Sequence, residues 1–169
     1  MAEAEGNGVR VNFPSTDSSV PGSKDGKLHS VPVSFHWPAR VYWEDTDAGG
    51  VVYHARYLAF MERARSEWMR ARGWGQEVLR ARDDLVFVVR AMEIDFRAPA
   101  RLDDQLEVSV ALVECRGASF VVAQQVLRGD AVLIEATVKI AALAASTFRP
   151  RPIPEPLQSE LKKNLVESP

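Results

Sequence analysis

Residues 44–54 read EDTDAGGVVYH and hold the one arrangement in this chain with evident chemistry in it. Two acids, Asp45 and Asp47, precede the pair Gly49-Gly50, and His54 follows Asp47 by seven residues. A carboxylate is ionised at neutral pH, so it can attack an electrophilic carbon or take a proton from water. A helix that starts just after the glycines offers backbone N–H groups with no intrahelical acceptor, which point at whatever lies before them. Read from its own residues alone, Asp47 is first a turn former: Asp before Gly near a helix start is common and complements the dipole. Glu44 and Asp45 shape the turn, with Asp45 a candidate to support Asp47 from behind. The His54 imidazole has two readings, packing at the helix start or proton transfer and orientation of Asp47.

The elements that must position these groups follow from pattern. Residues 35–43 are rich in aromatic and β-branched types and predict a strand, with Pro38 marking an edge or bulge. From Val52 to Arg72 apolar residues recur at Tyr57/Leu58, Met61, Ala64 and Trp68/Met69, a helical period, and Gly73 is the stop. A short helix over 75–82 ends at Asp83-Asp84. Four strands follow. Residues 85–97 place Val86, Val88, Met92, Ile94 and Phe96 on one face. Residues 105–115 place Leu106, Val108, Val110 and Leu112 on one face, with Glu107 and Ser109 opposite. Residues 118–128 and 131–143 are apolar on both faces. Arg116-Gly117 and Gly129-Asp130 predict hairpin turns. A sheet this apolar needs more cover than one helix gives, which predicts a dimer or larger assembly.

The 169 residues suit one domain, here 35–148, with 1–34 an aperiodic arm expected to be disordered and 149–169 a proline-rich tail with a short helix near 156–166. The net charge of −2 gives no broad electrostatic attraction for nucleic acid. The single Cys115 excludes an intramolecular disulfide and a cysteine-rich metal site. Neither a signal-peptide core nor a run near the roughly 18 apolar residues of a membrane span is present, so the expectation is a cytoplasmic protein.

The run EDTDAGGVVYHARYLAFMERAR, with FVVR at 87–90, APARLDD at 98–104 and RGAS at 116–119, resembles the hotdog-fold acyl-CoA thioesterases. Within them it is most similar to the 4-hydroxybenzoyl-CoA thioesterase family and its YbgC-like, Tol–Pal-associated branch, from about Val41 to Leu161. The resemblance implies an α+β fold, a five-stranded antiparallel sheet wrapped around one long helix. It also implies a homodimer or homotetramer that binds an acyl-CoA substrate at the subunit interface. Two departures stand out: the long N-terminal arm, and Arg56 where relatives often carry a smaller polar residue.

The resemblance reverses the reading of Asp47, which matches the family's catalytic carboxylate as nucleophile or general base. The main-chain N–H of His54 matches the family's oxyanion contact, and the YbgC-like branch also suggests a role for the imidazole. Tyr57, Leu58 and Met61 have core spacing, yet Val52, Tyr57 and Met61 are the candidates to line an acyl pocket. Glu62 ranks behind Asp47. Arg90, Arg97, Arg101, Arg116, Arg149 and Arg151 are candidates for the CoA phosphates, with Arg116 and the Arg149/Arg151 pair best placed. No metal or redox cofactor is implied; the CoA thioester is the substrate. No nucleic-acid partner is expected, while envelope or lipid-synthesis proteins are possible ones. The alternatives are a hotdog hydratase or dehydratase, and a non-catalytic acyl-CoA-binding accessory protein.

Overall fold

The long helix forms where the apolar residues recur, and it lies against an antiparallel sheet. The structure, a computed structural model, describes residues 10–11, 35–163 and 165. In chain order it contains β1 (Arg10–Val11), β2 (Phe35–Arg40), a one-turn 3-10 helix (Trp43–Asp45), α1 (His54–Arg70) and α2 (Gln76–Asp83). Then come β3 (Leu85–Phe96), β4 (Gln105–Arg116), β5 (Ser119–Arg128), β6 (Ala131–Ala144) and α3 (Glu155–Lys163). The sheet order is β1-β3-β6-β5-β4-β2, and β2 to β6 pair antiparallel throughout. These are the five strands and the central helix expected from the resemblance. A sixth, two-residue strand adds to them: Arg10 and Val11 lie parallel to Asp95 and Phe96 of β3. The remaining residues of 1–34 lie outside the described ones, as do 164 and 166–169.

Two-residue loops close the β4–β5 and β5–β6 hairpins, and Gly117 and Gly129 take the left-handed conformation at φ 48° and 58°. Helix α1 ends as expected, with Gly73 left-handed (φ 78°) and its N–H donating to the Arg70 carbonyl. The buried face of α1 is Tyr57, Phe60, Met61, Ala64 and Trp68, which pack with Leu106, Val108, Val110 and Leu112 of β4 and with Phe120, Val122 and Val126 of β5. A polar link crosses this apolar layer. The buried Arg65 guanidinium donates to Gln124 Oε1 at 2.6 Å, and Gln124 Nε2 donates to the carbonyls of Met61 (3.2 Å) and Ser109 (3.4 Å). Breaking it would leave buried polar groups unpaired, so it fixes how α1 sits on the sheet.

One expectation about faces is corrected. In β3 the core side carries Leu85 and Phe87, then Met92, Ile94 and Phe96, rather than Val86 and Val88. The register shifts between Val89 and Ala91, and the extra residue of a bulge switches which side each later residue faces. In β4, Ser109 lies opposite the apolar face, as its spacing predicts, and is buried there with its hydroxyl accepting the Gln125 N–H at 2.8 Å.

Residues 149–163 pack as part of the same body. Ile153, Leu157 and Leu161 belong to the core cluster, Ile153 N–H donates to the Gly117 carbonyl, and Trp74 Nε1 donates to Glu160 at 2.5 Å. Asp84, left-handed at the end of α2, accepts the Ser146 N–H and hydroxyl and the Arg151 guanidinium, which ties α2 to the segment after β6. Among the described residues no helix is long and apolar enough to cross a membrane.

Candidate active site

Between the 3-10 turn and α1 the chain doubles back on itself over 45–53. Tyr53 N–H donates to the Asp45 carbonyl (2.9 Å), Thr46 bridges Val52, and Asp47 N–H donates to the Val51 carbonyl (3.0 Å). Gly50, left-handed at φ 72°, closes the tip by donating to the Asp47 carbonyl. Gly49 N–H donates to Asp47 Oδ1 at 2.7 Å, and a Cβ on Gly49 would stand 3.0 Å from that same oxygen. The two glycines therefore have separate jobs: one turns the chain, the other leaves room for the carboxylate. Asp47 is exposed, and among the described residues its Oδ2 has no hydrogen-bond partner.

Helix α1 begins at His54, two residues later than its apolar period predicts. Tyr53 is extended at φ −59°, ψ 130°, and Val52 and Tyr53 donate their N–H groups to the carbonyls of Ala100 (2.9 Å) and Asp45. Arg56 N–H donates back to the Tyr53 carbonyl. The amides of His54 and Ala55 are left without an acceptor among the described residues, and no side chain caps this end. The 45–53 turn that carries Asp47 runs directly into these amides, through the Tyr53 N–H bond to the Asp45 carbonyl. The first turn is thus an anion-attracting end beside a free carboxylate oxygen.

The His54 ring is exposed and stacks obliquely on Tyr53 (centroids 4.4 Å) and edge-on to Phe96 (6.4 Å). Tyr57 is buried and its hydroxyl accepts the Ala100 N–H at 2.8 Å, while burial pushes the phenol pKa upward. Ala100 therefore holds both sides of the site, taking Val52 N–H on its carbonyl and giving its own N–H to Tyr57. This staples the 97–104 loop to the 45–53 turn. Val52, Tyr57 and Met61, the candidates for an acyl pocket, all belong to the core cluster.

Asp45 is buried and occupied. Its Oδ2 accepts Tyr42 N–H at 2.9 Å, and its Oδ1 accepts Arg56 Nε and Nη2 at 2.7 and 2.6 Å. Glu44 is exposed and stands 3.5 Å from Arg56. Glu62 is paired with Arg65 two turns along α1 and is not in the turn with Asp47. Of the arginines proposed for CoA phosphates, Arg90 is exposed on β3, while Arg97 and Arg101 flank Ala100 near the turn, Arg97 paired with Glu135; the three ranked best placed are at the far end of the sheet. Arg116 borders the β4–β5 hairpin, pairs with Glu114 at 3.0 Å and is exposed; Arg149 is exposed; Arg151 reaches Asp84 at 3.1 Å. Helix α1 has 17 residues, so about 25 Å separates the two ends within one chain. Two described cavities, of about 700 and 40 Å³, are lined by neither Asp47 nor His54. No cluster of three metal-ligating side chains occurs among the described residues.

Comparison with known proteins places this geometry in context. The family model described as the thioesterase-like superfamily matches residues 41–161. The chain belongs to that superfamily. It is 45% identical over 130 residues to the acyl-CoA thioester hydrolase YbgC of Escherichia coli, covering 76% of this chain and 96% of that one. Against the acyl-CoA thioesterase YbgC of Haemophilus influenzae the identity is 43%, over 74% and 92% of the two chains. A probable thioesterase from Bartonella henselae has a solved structure that superposes with a TM-score of 0.68 at 43% identity, over 70% of this chain and 98% of that one. The match spans the 44–54 turn, α1, the four long strands and most of α3, so the hotdog arrangement is the fold of this thioesterase-like chain.

What pattern reading missed here is the support. The Asp45–Arg56 pair was open to inference, because a cation in the first helical turn opposes the dipole and calls for an acid nearby. The double use of Ala100 had no signal, since it depends on main-chain atoms brought together across 48 residues.

Proposed function

We infer that this chain is an acyl-CoA thioester hydrolase that uses Asp47 and the first amides of α1. The observation that carries this reading is a free carboxylate oxygen, on a turn fastened at both ends, beside two unpaired helix amides. The kinship with YbgC supplies the substrate class. The thioester carbonyl oxygen lies against the His54 and Ala55 N–H groups, which bind it more strongly as it gains negative charge. Asp47 either takes a proton from the attacking water or attacks the carbonyl carbon itself. Where Asp47 acts as base, water adds to the carbonyl carbon, the C–S bond breaks, CoA leaves as the thiolate and is protonated, and the acid departs. Where Asp47 attacks, loss of the CoA thiolate leaves an acyl–Asp47 anhydride, which water cleaves to free the acid and restore the carboxylate. His54, stacked between Tyr53 and Phe96, stands at the mouth where it can exchange that proton with solvent. A hydratase would need the acid and histidine directed at the acyl Cα and Cβ rather than at the carbonyl.

The enzyme acts as a homodimer built on β3. That strand has 12 residues, and on its outer side only Asp95 and Phe96 are paired among the described ones. A long edge with exposed backbone groups and apolar side chains such as Val89 invites a second strand. Two β3 edges pairing antiparallel turn the second copy end for end. The arginine-bearing end of one copy then comes toward the Asp47 turn of the other, which resolves the separation of about 25 Å within one chain. The cytoplasm, where CoA thioesters are made, is the matching compartment.

The test is a hydrolysis panel from acetyl- to palmitoyl-CoA with aromatic thioesters, following free thiol. Cys115 is buried and burial raises its thiol pKa, so the protein's own sulfur contributes little signal. Thiol release with a chain-length optimum is expected. Saturable acyl-CoA binding with no thiol released from any member would sink the hydrolase reading and favour a binding protein.

A further inference from the structure

Two residues from Asp47 lies a second carboxylate whose use is different. Asp45 has a side chain only 2% exposed, and both its oxygens are occupied, one by Tyr42 N–H and one by the Nε and Nη2 of Arg56. Its own carbonyl receives Tyr53 N–H, the last bond before α1 begins. Asp45 therefore stands at the base of the turn on its incoming side, and Arg56 one turn into the helix on its outgoing side. Their contact spans the gap between the strand that delivers Asp47 and the helix that presents the His54 and Ala55 amides. The cation is where the helix dipole disfavours it, so Arg56 gains from pairing with Asp45 and loses if left alone. Buried charge on Asp45 is equally dependent on Arg56.

We propose that the Asp45–Arg56 pair is a positioning element for the hydrolysis: it sets the angle between the Asp47 turn and the first amides of α1. The proposal rests on the assignment of Asp47 and those amides as the catalytic groups. Neither member of the pair touches the substrate. The chemistry they serve needs a carboxylate and an oxyanion donor held at once on one ester group, and misplacement of about 1 Å can cost on the order of 10² in rate. Substrate affinity comes from CoA and acyl contacts elsewhere, so the pair acts on turnover and not on binding.

The experiment compares Arg56→Gln, Arg56→Lys, Asp45→Asn and the double variant Asp45→Asn/Arg56→Gln with the full chain. Initial rates give kcat and KM separately, and thermal melts give the folded fraction. Arg56→Gln should lower kcat about 10- to 100-fold with KM within about twofold. Arg56→Lys keeps a charge that can reach one Asp45 oxygen and should recover part of the loss. The double variant should be no slower than Arg56→Gln, because the two side chains act as one unit. Unchanged kcat in folded Arg56→Gln overturns the proposal. So do losses that multiply in the double variant, or a kcat that falls only in step with the folded fraction. Asp47→Asn run alongside separates the two readings. If that variant keeps full turnover, the catalytic assignment itself is wrong; if it is dead while Arg56→Gln is normal, only the positioning role is wrong.

Discussion

Replacing Asp47 by Asn and by Ala separates its chemistry from its part in the turn. The carboxylate has one described contact, Gly49 N–H to Oδ1 at 2.7 Å, on an exposed tip. Such a bond to a charged acceptor contributes about 1.5–3 kcal/mol when well sheltered and less in solvent. Asn keeps an oxygen in the same place, so its stability should fall by no more than about 1 kcal/mol, a few degrees in Tm for a chain of this size. Ala removes the bond entirely and should lose roughly 1 kcal/mol more. Turnover should fall more than about 10²-fold in both, since neither can attack the carbonyl or accept a proton. That is at least about 2.7 kcal/mol of barrier, larger than any folding effect expected here. The assay is steady-state thiol release from the best acyl-CoA of the panel, with circular dichroism melts on the same samples. A folded Asp47→Asn protein that turns over within about threefold of wild type would refute the assignment.

Other expectations concern the frame. Leu161 of α3 is fully buried, so Leu161→Ala should cost about 2–5 kcal/mol and lower Tm by roughly 5–20 °C; a Tm within 2 °C of wild type, in differential scanning calorimetry, would show that α3 is not part of the core. Two carboxylates have pKa values held below the ordinary range: Asp84, chiefly by the Ser146 hydroxyl and N–H and then by Arg151, and Asp104, where burial pushes upward but Arg101 N–H and Arg128 outweigh it. A depressed pKa stabilises the fold above the unfolded value, near 4, and that contribution is lost as pH falls through the lower folded value. Urea midpoints should therefore drop below about pH 4, and less steeply in Asp84→Asn; parallel curves for the two proteins would contradict this.

The elements were legible because their periods are strong, and the misreadings have local causes. Residues 85–89 are LVFVV, apolar at every position, so alternation could not say which side faces the core or reveal the bulge after Val89. Val52 fits a helical period yet is drawn out by Ala100, a partner absent from any local window. The stretch RPRPIPEP reads as an exit because prolines forbid regular pairing, while Ile153 inside it is buried. The 44–54 turn was the most legible part of the candidate site: its acids, glycines and histidine are contiguous, so nothing distant was needed to bring them together. The arginine candidates were the least legible, because a surface arginine is ordinarily just solvated and spacing does not single one out.

Asp45 and Asp47 show how far composition goes in naming a catalytic group. Both are aspartates two residues apart, and a helix N-terminus lies beside both. Asp45 ends the 3-10 turn with its side chain buried, whereas Asp47 lies past it on the exposed tip. One enters the interior, where Tyr42 N–H and Arg56 take up its oxygens away from solvent. The other faces solvent with a single N–H on one oxygen and the second oxygen open. Environment, not residue type, separates the two, and only Asp47 keeps an oxygen open to a reactant. A charge at Asp45 is costly to bury alone, and its pairing with Arg56 offsets that cost.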